Sequence, residues 1–317
     1  MSRIQRLLSR LDPNQIGVEI APYFNGALPK RDGHRVLIMD LFDADTLRSH
    51  SANNPLIEKH RFQDIEEVDF VGDAGKIGEM IKGAGLQEKI HFIVSSHNFE
   101  HLPNPIGFLQ GAFDALAMGG VLSMAIPDYR ACFDHFRYPS RLSDWLRAHH
   151  EKITQPDPEL LFDSDTNLAF YMEDDGRASP GTSFKNDPGQ FHLVQSLNKA
   201  YEHYLQRKNG AQLPYSDNNH VSMLFPEVMT LLLGDLQKLR LINFEIEEIT
   251  GTYDHEFFVH LRKSGQSPDL MESEFYERRQ NLLRIISQQM GQAPYQEARQ
   301  WWGIPRKYRR WRNKNSD

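Results

Sequence analysis

Gly17-Val-Glu-Ile-Ala-Pro-Tyr-Phe-Asn-Gly26, followed by Val36-Leu-Ile-Met-Asp40, forms the first of two informative stretches. The second is Ile93-Val-Ser-Ser-His-Asn-Phe-Glu-His-Leu-Pro103, followed by Gly119-Gly-Val-Leu-Ser-Met-Ala-Ile-Pro-Asp128. Together they read as four strands, each a short apolar run ending in polar residues. Apolar runs without alternation belong to strands buried on both faces. Polar loops at the carboxyl ends of such strands are where an open α/β sheet holds a nucleotide-like ligand.

Outward from these stretches, apolar residues at helical spacing predict a short helix over residues 2–11. Strands are expected over 16–21 and 35–41, joined by a loop with at most one helical turn, because Pro22, Gly26, Pro29 and Gly33 break any longer helix. A weaker strand is expected at Ile65–Val71, a short helix at Ile77–Lys82 and a strand at Lys89–Ser95. A helix is expected at Pro105–Met118, ended by Gly119-Gly120, and then a fifth strand at Val121–Ile126. Residues 128–220 break the alternation, with helical pieces at Leu142–Ile153 and Leu193–Lys208. A helix at Pro226–Leu239 follows, then two strands, Phe244–Ile249 and Glu256–Arg262, paired antiparallel across a short turn. Residues 272–290 read as a polar helix.

The fold class expected is therefore α/β: a Rossmann-like seven-stranded, mostly parallel sheet with an antiparallel last strand and a helical insertion after strand five. Its parts are an N-terminal helix (1–14), a core (15–127 and 221–263), an insertion serving as an acceptor lid (128–220), and a helical and basic-aromatic tail (264–317).

Composition narrows the partners. The chain has 317 residues, 39% of them hydrophobic and 25% charged, and a net charge of −7, which argues against a general nucleic-acid binder. A single cysteine, Cys132, excludes an intramolecular disulfide framework and a cysteine-based metal cluster. No stretch reaches the length of a membrane span and the N-terminus is too polar for a signal peptide, so a cytoplasmic location is expected. The tail carries Trp301, Trp302, Tyr308 and Trp311 among basic residues that run to Lys314. That mixture suits a peripheral contact with an anionic inner-membrane surface or an acidic partner, or docking of the tryptophans on the domain itself.

Several polar residues fall at the predicted strand ends. Glu19, inside an apolar strand, needs either an ion-pair partner or a ligand group. Asp40 can accept both hydroxyls of a ribose, and one of Asp40, Asp43 and Asp45 can cap a helix. Asp73, with the amide of Ala74, can meet an adenine or sit in a solvated turn. Ser95, Ser96 and His97 crowd the end of strand four, with Glu100-His101 either beside the ligand or capping the next helix. Asp128 ends strand five, and His135, His149, His150, His192 and His220 are further candidates for a base. No pair has the H-E-x-x-H spacing, so no metal is predicted. Tyr204-Leu-Gln-Arg-Lys208 matches a Y-x-x-x-K pattern but reads as helix surface, since the glycine-rich dinucleotide fingerprint is missing. No glycine-flanked nucleophile supports hydrolase chemistry.

With these residues in place, the sequence resembles the class I S-adenosylmethionine-dependent methyltransferases, and among them a bacterial group associated with cell-surface polysaccharide biosynthesis. The resemblance covers about 15–263. It rests on Glu19-Ile20, the Pro22-to-Lys30 loop, Asp40, Ser96-His97-x-x-Glu100-His101, Gly119-Gly120, Pro127-Asp128, the run Phe133–Arg137 and the closing run Glu256–Lys263. It implies that Glu19 and the loop residues Ala21, Tyr23 and Asn25 hold the methionine part of the cofactor. Asp40 would hold the ribose, Asp73 and Ala74 the adenine, and Ser96 would lie with His97 near the methyl group. His97, Asp128 and His220 are the candidates on the acceptor side. The implied activity is methyl transfer to a sugar or glycan-related small molecule, at oxygen. Ala21 and Tyr23 stand where this family usually has glycine. That departure keeps open a non-catalytic binding protein on the same fold, and a nicotinamide-dependent sugar enzyme as a further reading.

Overall fold

The computed structural model describes residues 1–52, 59–173, 176–179, 188–211, 213, 219–265 and 271–292. The tail expected to contact a membrane or an acidic partner, 301–314, lies outside the described residues. In chain order the elements are α1 (Arg3–Leu7), β1 (Gly17–Ile20), β2 (Val36–Asp40), α2 (Ala44–Ala52), β3 (Phe70–Val71), α3 (Ile77–Gly83), β4 (Ile90–Ser96), α4 (Pro105–Ala115) and β5 (Leu116–Pro127). The region after β5 holds α5 (Leu142–His150), α6 (Pro158–Asn167), β6 (Ala169–Met172), β7 (Ala178–Ser179), β8 (Phe191–Leu193) and α7 (Leu197–Lys208). The chain then returns with α8 (Pro226–Lys238), β9 (Glu245–Ile249), β10 (Glu256–Arg262) and α9 (Glu272–Gln292).

Seven strands form one sheet in the order β3-β2-β1-β4-β5-β10-β9. Every pair among the first five is parallel, whereas β10 runs antiparallel to both β5 and β9. The antiparallel strand is thus wedged between β5 and β9 and leaves β9 at the edge. This is a Rossmann-like α/β sheet. Among the described residues, no helix is long and apolar enough to cross a membrane.

The sheet has two unequal faces. Val18, Ile20, Ile93, Leu122, Met124, Ile126, Phe257 and Val259 join the large core with residues of α3, α4 and α8. Val36, Phe92, Val94, Ala125 and Phe258 face the other side, where Leu7 of α1 and Leu28 of the β1–β2 loop cover them, with Leu8, Leu11 and Ala27 partly buried against them. That loop contains one short 3-10 turn, Lys30–Asp32, and no crossover helix. Gly17 is needed on this thin side: a Cβ built there would lie 2.0 Å from the buried Phe92 ring. Gly17→Ala is therefore expected to lower stability by ~2–3 kcal/mol through overpacking. A urea midpoint equal to that of the parent protein would show that the ring has room to swing away.

Several expectations are corrected. Helix α1 is shorter than 2–11, with Ser2 and Gln5 closing a capping box at its start. The third strand shrinks to Phe70–Val71. Helix α2, not foreseen, starts where Asp43 accepts from the Thr46 amide at 2.8 Å, so Asp43 is the capping member of the three aspartates. Helix α4 stops at Ala115, not at Gly119, because Leu116 already pairs with Ile90 in the sheet. Gly119 and Gly120 lie inside β5, where they exchange backbone hydrogen bonds of 2.7 and 2.9 Å with Lys263, and the φ of +82° at Gly119 suits glycine. The region 128–220 also holds α6 and a small three-stranded sheet, β7-β6-β8, that were not foreseen. Helix α5 packs into the main core, where Trp145 is buried and its indole N–H donates to Ser222 at 3.1 Å.

Candidate active site at the carboxyl edge of the sheet

The loop leaving β1 keeps a glycine-like path without glycine. Ala21 and Tyr23 have φ of +49° and +52°, in the left-handed region. For residues with a Cβ that conformation costs roughly 1–2 kcal/mol each, and such strain concentrates at functional sites. The Tyr23 ring packs with Phe24 against Ala44, Leu47 and Ile65, and the Ser51 hydroxyl donates to the Tyr23 oxygen. Asn25 accepts from Arg61. Ala21→Gly is expected to raise stability by roughly 0.5–1 kcal/mol, relieved strain being partly offset by a freer unfolded chain. The check is the thermal unfolding midpoint, and a decrease would show that the Ala21 methyl contributes more by packing than its backbone costs.

Glu19 forms no ion pair among the described residues. Its buried carboxylate turns back on its own loop, accepting from the amides of Ala27 at 2.6 Å and Leu28 at 3.2 Å. Burial raises its pKa, and these two amides moderate the rise. Glu19 therefore shapes the loop. Asp40 ends β2 with a long hydrogen bond, 3.3 Å, from the Phe42 amide, and the Leu41 amide also acts on its carboxylate. Burial raises its pKa too, and the carboxylate keeps capacity to accept from a ligand. Asp73 accepts from the Gly75 amide at 2.8 Å and caps a 3-10 turn that begins at the buried Ala74. Asp40 and Asp73 follow neighbouring strands, since β2 pairs with β3 through Asp40 and Val71.

At the end of β4 the polar groups are densely connected. Arg3, from α1, donates to Ser96 at 2.7 Å and pairs with Glu256 at 2.7 Å. His97, with φ of +50°, places Nε2 2.9 Å from the other Glu256 oxygen. Burial opposes ionisation of Glu256, but His97 and Arg3 outweigh it and hold the carboxyl below its ordinary value. Sequence distance hides this link: β10 enters the sheet beside β5, with Glu256 opposite Pro127.

Glu100 and His101 do not cap α4; Asn104 does, accepting from the Gly107 amide at 3.0 Å. Instead the Glu100 carbonyl takes the amides of Val221 and Ser222 at 2.7 and 2.9 Å. This pins His220 over Glu100, with His220 Nε2 3.9 Å from the carboxylate and His101 Nε2 3.7 Å from it. On its other nitrogen His220 meets Asp134 at 2.5 Å, and Arg137 donates to the same carboxylate at 2.8 Å. Burial disfavours both charges of the His220–Asp134 pair. Their mutual attraction prevails, so the Asp134 pKa falls and the His220 pKa rises.

Asp128 lies apart from this cluster in its bonding. Arg130 donates to both of its oxygens, at 2.8 and 2.6 Å, and Thr252 donates to one at 2.6 Å. A carboxylate so engaged is held in a structural network and has little lone-pair capacity left for an acceptor proton. His149 and His150 sit on α5, and His192 stacks on Phe170. Tyr204 and Lys208 both bond to Glu159, as a helix surface does. The residues that sequence reasoning passed over are Asp134, Arg137 and Glu256, which hold His220 and His97. The signal for them was present in the Phe133–Arg137 and Glu256–Lys263 runs, without an assigned role.

Two cavities differ sharply in size. One of about 930 Å³ opens between α5, α8 and α9, lined by Trp145, Met223, Leu232 and Ile286, and shares no residue with the β1, β2 or β3 loops. The other, beside Glu19, Pro22 and Tyr23, is about 10 Å³.

No protein-family model matches the chain, and no curated protein sequence matches it. Among solved structures, the chain is similar to an S-adenosylmethionine-dependent methyltransferase from Methanosarcina mazei, with 12% identity over 83% of this chain and 98% of that one, at a TM-score of 0.36. A second, from Mesorhizobium loti, shows 12% identity over 81% and 95%, at a TM-score of 0.30. A carbon methyltransferase shows 10% identity over 81% of this chain, which spans 51% of that one, at a TM-score of 0.31.

Proposed function

We propose that this protein transfers a methyl group from S-adenosylmethionine to a hydroxyl of a sugar or glycan-related small molecule. The observation that carries the reading is the β1 loop. Ala21 and Tyr23 hold left-handed backbone where glycine would do so without strain, beside an under-bonded carboxylate, Asp40, at the end of the neighbouring strand. A backbone held in that shape can approach a ligand closely, and a carboxylate at a strand end suits a ribose diol. These are the residues that would hold the cofactor: the loop the methionine part, Asp40 the ribose, and Asp73 with Ala74 the adenine.

When bound, the cofactor supplies an electrophilic methyl group on sulfur. An acceptor oxygen would take that methyl carbon as the sulfur–carbon bond broke, with the electron pair left on sulfur. The protein's share is alignment and removal of the acceptor proton. His97 is the best-placed group for the proton. It is partly exposed, and Glu256 holds its Nε2, so the neutral ring offers a lone pair on Nδ1. A polar acceptor agrees with the histidine-rich edge, and Ser96, fixed by Arg3, stands next to it.

A second reading has an observation in its favour. The pocket beside Glu19 and Tyr23, about 10 Å³, is no larger than a single water requires. A protein of this fold that does not hold S-adenosylmethionine there would need no more, and its ligand would sit elsewhere. Calorimetry with S-adenosylmethionine and with NAD, followed by a labelled-methyl transfer assay on nucleotide sugars and simple glycosides, separates the readings. Binding and label in an ether product support O-methylation. Label attached to carbon or nitrogen corrects the acceptor atom. Absence of S-adenosylmethionine binding at millimolar ligand overturns the enzyme reading.

A further inference from the structure

Glu100 presents an unusual electrostatic situation. Its side chain is fully buried, and neither carboxylate oxygen has a hydrogen-bond partner among the described residues. Leaving such a group unpaired in a protein interior is costly, more so if it is charged. Three imidazole nitrogens surround it. His97 Nδ1 and His101 Nε2 are each 3.7 Å from Oε1, and His220 Nε2 is 3.9 Å away. Those separations are too long for hydrogen bonds.

The far side of each ring explains which nitrogen is turned toward Glu100. His97 Nε2 faces the Glu256 carboxylate at 2.9 Å, His220 Nδ1 faces Asp134 at 2.5 Å, and His101 Nδ1 faces the Asn219 carbonyl at 3.4 Å. Each of these partners is an acceptor that takes one ring proton, so the other nitrogen of each ring is the one available to coordinate an ion beside Glu100 once it is deprotonated. Lone pairs converging on a carboxylate repel one another unless a cation lies between them. An imidazole whose other nitrogen donates to a carboxylate or carbonyl is also the usual arrangement behind a metal-ligating histidine.

We propose that Glu100, His101 and His220 form a binding site for a divalent first-row transition metal ion. Their ligand atoms all lie within 4.8 Å of one another. Around an ion held at about 2.0–2.2 Å, neighbouring ligand atoms stand about 3.0–3.5 Å apart, so small side-chain rotations close the set. Two imidazoles and one carboxylate suit this class of ion and leave positions for water or an oxygen-bearing ligand. His97 Nδ1, 3.7 Å from Glu100 Oε1, is a third imidazole nitrogen near the set. Its side chain and that of His101 are 36% and 32% exposed, which gives an ion a way in. The neighbouring set Cys132, Asp134 and His220 is a weaker candidate. Its members are already bonded: the thiol donates to the Tyr129 carbonyl and to Asp134, and Asp134 accepts from Arg137 and pairs with His220.

Metal binding here does not depend on the methyl-transfer reading, and the test does not use turnover. The full chain, stripped with a chelator, is titrated with ZnCl2 by calorimetry and with CoCl2 by visible absorption. One equivalent of Zn2+ with micromolar or tighter affinity is expected, with cobalt bands typical of nitrogen and oxygen ligands. Glu100→Gln preserves shape and should weaken binding by about 100-fold or more, since even the partners behind a ligand are worth 10–100-fold. If that variant fails to fold by circular dichroism, His101→Ala serves instead, because a third of its side chain is already in solvent. His150→Ala, at an exposed histidine on α5, should leave the affinity unchanged. No saturable binding up to 1 mM overturns the proposal. So does a folded Glu100→Gln or His101→Ala protein that binds as the parent does.

Discussion

Asp134→Ala is expected to lower the stability of the folded protein by ~3–5 kcal/mol, the range found when one partner of a buried ion pair is removed. Asp134 and the Arg137 side chain are both fully buried, 2.8 Å apart. With the carboxylate gone, Arg137 keeps the His220 carbonyl at 2.8 Å and, as its remaining counter-charge, Asp163 at 2.8 Å, whose side chain is 39% exposed and so matches it less well than the buried Asp134. His220 loses the partner of its Nδ1 as well. The measurement is denaturant unfolding at constant slope. Asp134→Asn keeps the shape and one acceptor, so it should cost less than the alanine variant. A loss below 1 kcal/mol for Asp134→Ala would mean that water or Asp163 takes over the network. Because Asp134 touches no residue of the β1–β3 loops in this network, affinity for S-adenosylmethionine should change less than stability does.

Asp40→Ala is expected to do the reverse. Affinity for S-adenosylmethionine should fall roughly 30- to 150-fold, about 2–3 kcal/mol, the worth of hydrogen bonds to a charged acceptor. Stability should hold or rise slightly. The carboxylate is buried, its pKa is pushed up by that burial, and the Phe42 and Leu41 amides, the former at a long 3.3 Å, compensate it only in part. A group that loses solvation without full compensation does not stabilise the fold; its place is explained by a ligand. Calorimetry and thermal unfolding on the same preparation test both halves. Unchanged affinity would remove Asp40 from the ribose site even if the protein binds the cofactor elsewhere.

The strands of the sheet centre were legible because burial on both faces leaves a plain apolar signature: Val-Leu-Ile-Met in β2 and Val-Leu-Ser-Met-Ala-Ile in β5 fall within the expected spans. The β9–β10 pair was legible for another reason, two strand-like segments joined by the short turn Thr250–Asp254. The ends of elements were not. Helix α4 and strand β5 share the run Leu116-Ala117, and only pairing with β4 assigns it to the strand. The small sheet β7-β6-β8 has strands of two to four residues, too short to show a period. Asp40, Asp73 and Ser96 stood out because polar residues at the ends of apolar strands are conspicuous. The same reasoning singled out Asp128, whose bonds to Arg130 and Thr252 turn it into a structural group.

Local sequence by itself determined the α/β alternation, the missing helix between β1 and β2, and the departure at Ala21 and Tyr23, because periodicity, proline and glycine act over a few residues. Only the tertiary structure decided what that departure means: the two residues keep the left-handed path and bear its strain. It also decided that Glu100, His101 and His220 converge. The amides of Val221 and Ser222 bond to the Glu100 carbonyl, a contact spanning more than a third of the chain. No local pattern records such a contact, since its energy comes from backbone groups that every residue carries.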